Sequence, residues 1–263
     1  MRHRFFAAAA VAAVLVLFLA QVQTRPAKAS AAMRRVLYST CSMGFRHRVL
    51  PLSREVMQFL ARRSGYFRVT LTEDVRQINR RDLRRFDCVV FYTSGELPLS
   101  DEQKQALLDF VRSGHGFVGI HSASDTCYNW PEYGEMLGGY FDGHPWHQWV
   151  KINVEDTTHP ATRHFGQSFW INDEIYQYKN FSRARVHVLL SLDNSSVDVN
   201  RSNHPVKDFP ISWCRRYGKG RVFYTGLGHD RDVWLNPRFQ RHLVNGICWA
   251  MGDLPGEATP SAG

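Results

Sequence analysis

Between Met33 and Asp125 the chain carries no internal repeat but one alternating pattern: short apolar runs, separated by stretches of which two place their apolar residues three and four apart. "MRRVLYS", "YFRVTLTED", "DCVVFYT" and "FVGIH" are the runs, too short for helices and apolar enough to be buried strands. Between them, Leu52, Val56, Phe59 and Leu60 share one helical face over Pro51–Arg63, and Leu107, Leu108 and Val111 share another. Ser100, with Gln103 three residues on, predicts the N-terminus of the second helix as a capping box, and Gly114 closes it. Strand, helix, strand, helix in this rhythm predicts a doubly wound, mostly parallel α/β sheet.

The second half is less regular. Strand-like runs occur at "QWVKINVED", "RVHVLLSLD", "FPISWCRRY" and "GRVFYTGLG". Gly218-Lys219-Gly220 joins the last two and predicts an antiparallel hairpin added at one edge of the sheet. "NPRFQRHLVNGICWAMG" predicts a closing helix with Pro237 in its first turn. The expected organisation is a signal peptide over residues 1–29, one α/β domain over 30–252 and a disordered tail over 253–263.

The leader reads as the basic "MRHR", the apolar "FFAAAAVAAVLVLFLA" and an A-x-A cleavage site at Ala27-Lys28-Ala29. It predicts export to the periplasm or medium, with membrane association only if the segment is left uncleaved. Its removal takes four basic residues and no acid, so the formal charge of +9 becomes +5. The remaining basic clusters, "NRRDLRRF" and "CRRYGKGR", are short and carry no nucleic-acid motif, so nucleic acid is not an expected partner. Five cysteines without a CxxC pair indicate neither a zinc ribbon nor a disulfide framework. Cys88, Cys214 and Cys248 read as core, and Cys41 and Cys127, in polar loops, as the candidates for reactivity. Oligomeric state is not encoded in any recognisable pattern.

Parallel sheets bind ligands beyond the carboxyl ends of their strands. There the sequence places His47, then Thr93 and Ser94, then His121 to Asp125, then Gly228, His229 and Asp230. "INDEIYQY" adds Asp173, Glu174 and Tyr176. Three histidines and one or two acids converging at one edge suit proton transfer near neutral pH. His121 and Asp125 are the expected central acid/base pair, with Glu174 and His229 as partners. His47, Thr93, Trp130, His144 and Tyr176 are the expected substrate contacts. No cofactor is indicated by a motif. A divalent metal held by His121, Asp125 and His229 is the alternative use of the same residues, without a tight ligand spacing to support it. The aromatics from Tyr128 to Trp149 suit the C–H faces of a sugar ring, Trp130 first. His159 and His204 each precede a proline in what reads as a surface turn.

"GIHSA" stands where a strand-to-helix nucleophile elbow, G-x-S-x-G, would stand. His121 fills the nucleophile slot, Ser122 falls one place late and Ala123 replaces the second glycine, so a serine nucleophile is not expected.

Taken together, "GFRH", "TED", "FDCVVFYTSGELPLSDEQ", "FVGIHSASDT", "YNWPEYGEMLGGYFDGHP", "VEDTTHPAT", "NDEIYQY", "PISWCRRYGKGRVFYTGLGHD" and "ICWAMG" resemble the ThuA-like, trehalose-utilisation family along nearly the whole chain after the leader. The resemblance implies a flavodoxin-like fold related to class I glutamine amidotransferases. His121 stands where those enzymes keep a cysteine, so glutaminase activity is not implied. The family's His-Ala-Ala-x-Asp becomes His-Ser-Ala-Ser-Asp here, retaining His121 and Asp125. It further implies a role in sugar catabolism, on a small carbohydrate such as a 3-keto disaccharide or glycoside, by hydrolysis, elimination or isomerisation. A non-catalytic sugar-binding module and a metal-dependent hydrolase are the alternatives.

Overall fold

The computed structural model describes residues 33–261. The expected leader lies outside them. Among the described residues no helix is long and apolar enough to cross a membrane.

The chain runs β1 (Arg34–Ser39), α1 (Leu50–Ser64), β2 (Phe67–Thr72), α2 (Arg80–Leu83), β3 (Cys88–Phe91), α3 (Asp101–Arg112), β4 (Gly116–Ile120), α4 (Pro131–Leu137), β5 (Tyr140–Phe141), β6 (Trp146–Val154), β7 (Ser168–Ile175), β8 (Tyr178–Lys179), β9 (His187–Leu192), β10 (Pro210–Tyr217), β11 (Gly220–Thr225), α5 (Arg231–Leu235) and α6 (Pro237–Ala250). Nine strands form one sheet in the order β2-β1-β3-β4-β11-β10-β9-β6-β7, and β5 and β8 pair separately. The first five in that order are mutually parallel. They give the 2-1-3-4-5 arrangement of a flavodoxin-like sheet.

Alternation along each strand sends side chains to two layers. Val36, Tyr38, Val90, Val118 and Phe223 pack with residues of α1 and α6. Leu37, Val89, Phe91, Phe117 and Val222 pack on the other face with residues of α3 and α4. The predicted capping box forms, Ser100 Oγ accepting from Gln103 N at 3.3 Å and Gln103 Oε1 from Ser100 N at 3.1 Å. Pro237 opens α6, and the Asn236 side chain caps it by accepting from Arg238 N.

The antiparallel part exceeds a hairpin. β10 does pair with β11 across the glycine turn, but β11 lies inside the sheet, and β9, β6 and β7 follow beyond β10, all antiparallel to their neighbours. β7 and the small β5–β8 pair were not predicted. Strands lie about 4.8 Å apart, so four steps put β7 on the order of 19 Å from β11 in a flat sheet. Yet Glu174, near the end of β7, reaches to 3.1 Å from His229, just beyond β11. The antiparallel half therefore curls back towards the carboxyl edge of the parallel half.

The C-terminal segment, expected to be disordered, is docked as far as it is described. Asp253 pairs with Arg34 at 2.8 Å, Trp249 Nε1 donates to Gly256 O, and the Ser261 amide donates to Val186 O. Backbone groups near the end are thus satisfied against the fold, which composition does not reveal.

Candidate functional site

Four side chains from distant parts of the chain meet at the carboxyl edge: His47 after β1, His121 after β4, Glu174 on β7 and His229 after β11. One donor atom from each lies within 4.8 Å of the others.

His121 begins a single 3-10 turn directly after β4, with φ +46°. That left-handed conformation is uncommon outside glycine and marks a constrained elbow. It is held by Tyr224, whose hydroxyl donates to the His121 carbonyl at 2.7 Å and meets Ser124 Oγ at 2.8 Å. The ring is fully buried. Its Nδ1 lies 2.7 Å from the Gly226 carbonyl, which can only accept. Nδ1 therefore carries a proton, and in the neutral ring Nε2 is left as a bare lone pair. That Nε2 faces His229 Nδ1 at 3.2 Å and Glu174 Oε2 at 3.4 Å. Tyr176 lies against the His121 ring at 4.2 Å between centroids.

His229 is set by its backbone. Asp173, fully buried beside Glu174, accepts from the amides of Gly228, His229 and Asp230 at 2.7, 3.1 and 3.1 Å. Burial pushes the Asp173 carboxyl up to about 6, against the pull of His121 and these amides. Gly228, at φ +125°, makes the turn, and its carbonyl accepts from Tyr92 Oη and Trp234 Nε1. Burial works against protonation of His229, but the Glu174 carboxylate 3.1 Å away outweighs it and raises the pKa. Glu174 is the counterpart: burial opposes its charge, yet contacts with His121 and His229 hold its carboxyl well below the usual range.

His47 is placed by two loops that touch. Gly95, at φ +71°, lets the loop after β3 lie against Met43 and Gly44, and Ser94 Oγ donates to the Phe45 carbonyl at 2.7 Å. The His47 ring then stands 4.9 Å from that of His121 and 5.1 Å from that of His229. It is buried, its Nδ1 has no hydrogen-bond partner, and burial with the two neighbouring rings lowers its pKa to about 3.

Above the cluster lies a cleft of about 650 Å³ lined in part by Phe45, Arg46, His229, Asp230 and Arg231. Two exposed histidines stand beside the cluster. His144 Nδ1 is 3.4 Å from Glu174 Oε1, and His147 Nε2 is 2.7 Å from Asp230 Oδ2.

The structure thus gathers His47, His121, Glu174 and His229, with Tyr176 and His144 beside them. His47 and Tyr176 are buried parts of the cluster rather than open contacts. Asp125 is not one of the four: its Oδ1 accepts from Tyr128 Oη at 2.7 Å, and burial raises its pKa despite that bond and the nearby His121 and His144. Thr93 is fully buried against Thr126 Oγ1 at 2.9 Å, and Trp130 is buried against Tyr133. Both are packing residues because the loops that hold them fold inward. Cys41 and Cys127 are buried as well, with burial the leading cause raising both thiols, Cys127 to about 11, so neither is a poised nucleophile. His159 is buried, not on a surface turn, and accepts from Ala161 N. His204 keeps a surface partner in Asp142.

The sequence reading passed over His147 and the clamp made by Asp173. His147 lies three residues after His144 in "HPWH" and directly opposite Glu174 in the β6–β7 register. Adjacent acids, Asp173-Glu174, at a strand end are the other available signal, because alternation sends them to opposite faces.

The sequence pattern of one family, described as trehalose utilisation (ThuA), matches residues 35–250. A ThuA-like protein from Bacteroides uniformis is 25% identical, with TM-score 0.71 over 86% of this chain and 95% of its own. One from Parabacteroides merdae is 20% identical, with TM-score 0.71 over 86% and 93%. A β-galactosidase from Bacillus circulans shares only the fold, at 11% identity and TM-score 0.53, over 87% of this chain and 32% of its own. No curated protein matches the chain. With the family's pattern spanning the domain from β1 to the end of α6, the chain belongs to the ThuA, trehalose-utilisation, family.

Proposed function

We propose that the protein is an enzyme of carbohydrate breakdown that acts on a sugar glycoside carrying a ring ketone. The observation that carries the reading is the convergence of His47, His121, Glu174 and His229 at a cleft lined by His229 and Asp230, with the exposed His144 and His147 held on Glu174 and Asp230. The family's description supports a carbohydrate substrate.

A ketone acidifies the neighbouring C–H. In a 3-keto glycoside that carbon also adjoins the glycosidic carbon. A base removes the proton, the electron pair moves onto the ketone oxygen as an enolate, and its return expels the glycosidic oxygen, which takes a proton from an acid. The products are an unsaturated ketone and a free alcohol. Such chemistry needs an anchor for the oxygen charge and proton carriers beside it, but no nucleophile. His121 is wholly buried, so it supports the anchor rather than touching a C–H bond. His144 and the His147–Asp230 pair are the exposed groups suited to carry protons.

The test is a mass-spectrometric screen of glycosides and their 3-keto derivatives. Hydrolysis, elimination and isomerisation leave different product masses or identities. Turnover of a keto-glycoside that falls about a hundredfold in His147→Ala is expected. Binding without product would favour a sugar-binding module, and full activity in both His147→Ala and His144→Ala would remove the proton carriers named here.

A further inference from the structure

We propose that His47, His121, Glu174 and His229 bind one divalent transition-metal ion. The ion's chemical role rests on the reading above, but the binding site does not, and its test reads the ion rather than turnover.

Lone pairs carry the argument. With the His121 Nδ1 proton committed to Gly226 O, His121 Nε2, His229 Nδ1 and Glu174 Oε2 face one another at 3.1 to 3.4 Å. His121 Nε2 and Glu174 Oε2 both accept, and His229 Nδ1 stands between them. A proton on His229 Nδ1 satisfies these three but leaves His47 unanswered, whereas a cation in its place is held by all four. His47 supplies an independent sign: it is buried, shares the cluster, and its Nδ1 has no partner. One ion answers all four residues at once.

The spacing fits as well. Ligands about 2.0–2.1 Å from a tetrahedral zinc stand about 3.4 Å from each other. The three contacts above lie close to that length. Three imidazoles and one carboxylate, without thiolate, suit zinc, cobalt, nickel, iron or manganese better than calcium or magnesium.

The surroundings match those of built metal sites, where a ligand's far side is held in place. The Gly226 carbonyl fixes the His121 tautomer, and Asp173 fixes the backbone that bears His229. His229 is the ligand with an exposed flank, on the cleft side, so a substrate oxygen can approach the ion from there. A ketone oxygen bound at that place would have its enolate charge stabilised by a Lewis acid.

The purified full chain, stripped with a chelator, is titrated with Zn²⁺ alone and with Co²⁺ as a spectroscopic probe. One ion per chain by elemental analysis, a visible Co²⁺ absorption band and a higher melting temperature with Zn²⁺ are expected. Glu174→Gln, His47→Gln and His121→Ala each weaken binding about tenfold or more. His115→Ala, at the opposite end of β4, binds as the parent does. Where His121→Ala does not fold, the other two variants carry the test. Absence of stoichiometric uptake, or parental affinity in folded Glu174→Gln and His47→Gln, overturns the proposal. Uptake in a chain that turns over no glycoside supports the site while removing the sugar reading. Turnover that persists in the stripped chain removes the ion's role in the reaction and keeps the sugar reading, while uptake alone decides the site.

Discussion

The two halves of the sheet solve the same packing problem differently. In the parallel half, β1, β3 and β4 are buried on both faces, under α1 and α6 on one side and α3 and α4 on the other. In the antiparallel half, β6 and β7 bury one face, through Val150, Ile152, Phe169 and Ile171, and leave Trp149 and Trp170 outside. The first half is a rigid frame that presents loops at one edge. The second is a curled flap that delivers Glu174 to those loops. Neither half alone holds the four-residue cluster.

The comparison makes the seam between the halves the most sensitive place. Trp213 on β10 is fully buried, donates to Leu137 O at 2.7 Å and lies 4.3 Å from the Tyr224 ring on β11. Trp213→Ala should cost about 3–5 kcal/mol in denaturant unfolding. The exposed Trp149→Ala should stay within about 0.5 kcal/mol. Equal losses at the two positions would break the distinction between seam and flap.

A smaller effect is expected where the flap grips the frame. Asp173→Asn keeps the shape but weakens three charge-assisted bonds to the Gly228–Asp230 backbone. A loss of about 2 kcal/mol is expected. The amides of Gly228, His229 and Asp230 should also exchange faster in hydrogen-exchange measurements than those of β1. Unchanged protection there would mean that the loop stands without the flap.

The smallest effect is on pH. Burial pushes the Asp156 carboxyl up, but bonds from His187, Thr158 and His159 outweigh it and hold the pKa well below the usual value. A depressed folded pKa contributes stability above the unfolded value of about 3.9, lost as pH falls through the folded value. Asp156→Asn should therefore be less stable than the parent at pH 7, with the gap narrowing on acidification below about pH 4. A gap that stays constant down to low pH would sink the assignment.

Much of the frame was legible because its signals are local. Buried parallel strands read as unbroken apolar runs, and Ser100, Gln103 and Pro237 mark helix starts through bonds within a few residues. Strand ends in a parallel sheet share one edge, so residue order alone sets His47, His121 and His229 together. β7 was harder to read. In "SFWINDEI" burial alternates over the first part, but the exposed Trp170 is apolar and hides that alternation in the sequence, and its polar end is the part that enters the site. Trp130 and Asp125 resemble site residues in sequence, but their direction depends on the course of the loop from Thr126 to Trp130.

Residue order by itself determined the alternating α/β frame, the edge at which chemistry gathers and the histidine in the elbow, because these follow from periodicity and chain direction. Only the tertiary structure decided that Glu174 rather than Asp125 completes the cluster. That choice rests on the curl of four antiparallel strands and on three backbone amides closing around Asp173, contacts between residues more than fifty positions apart.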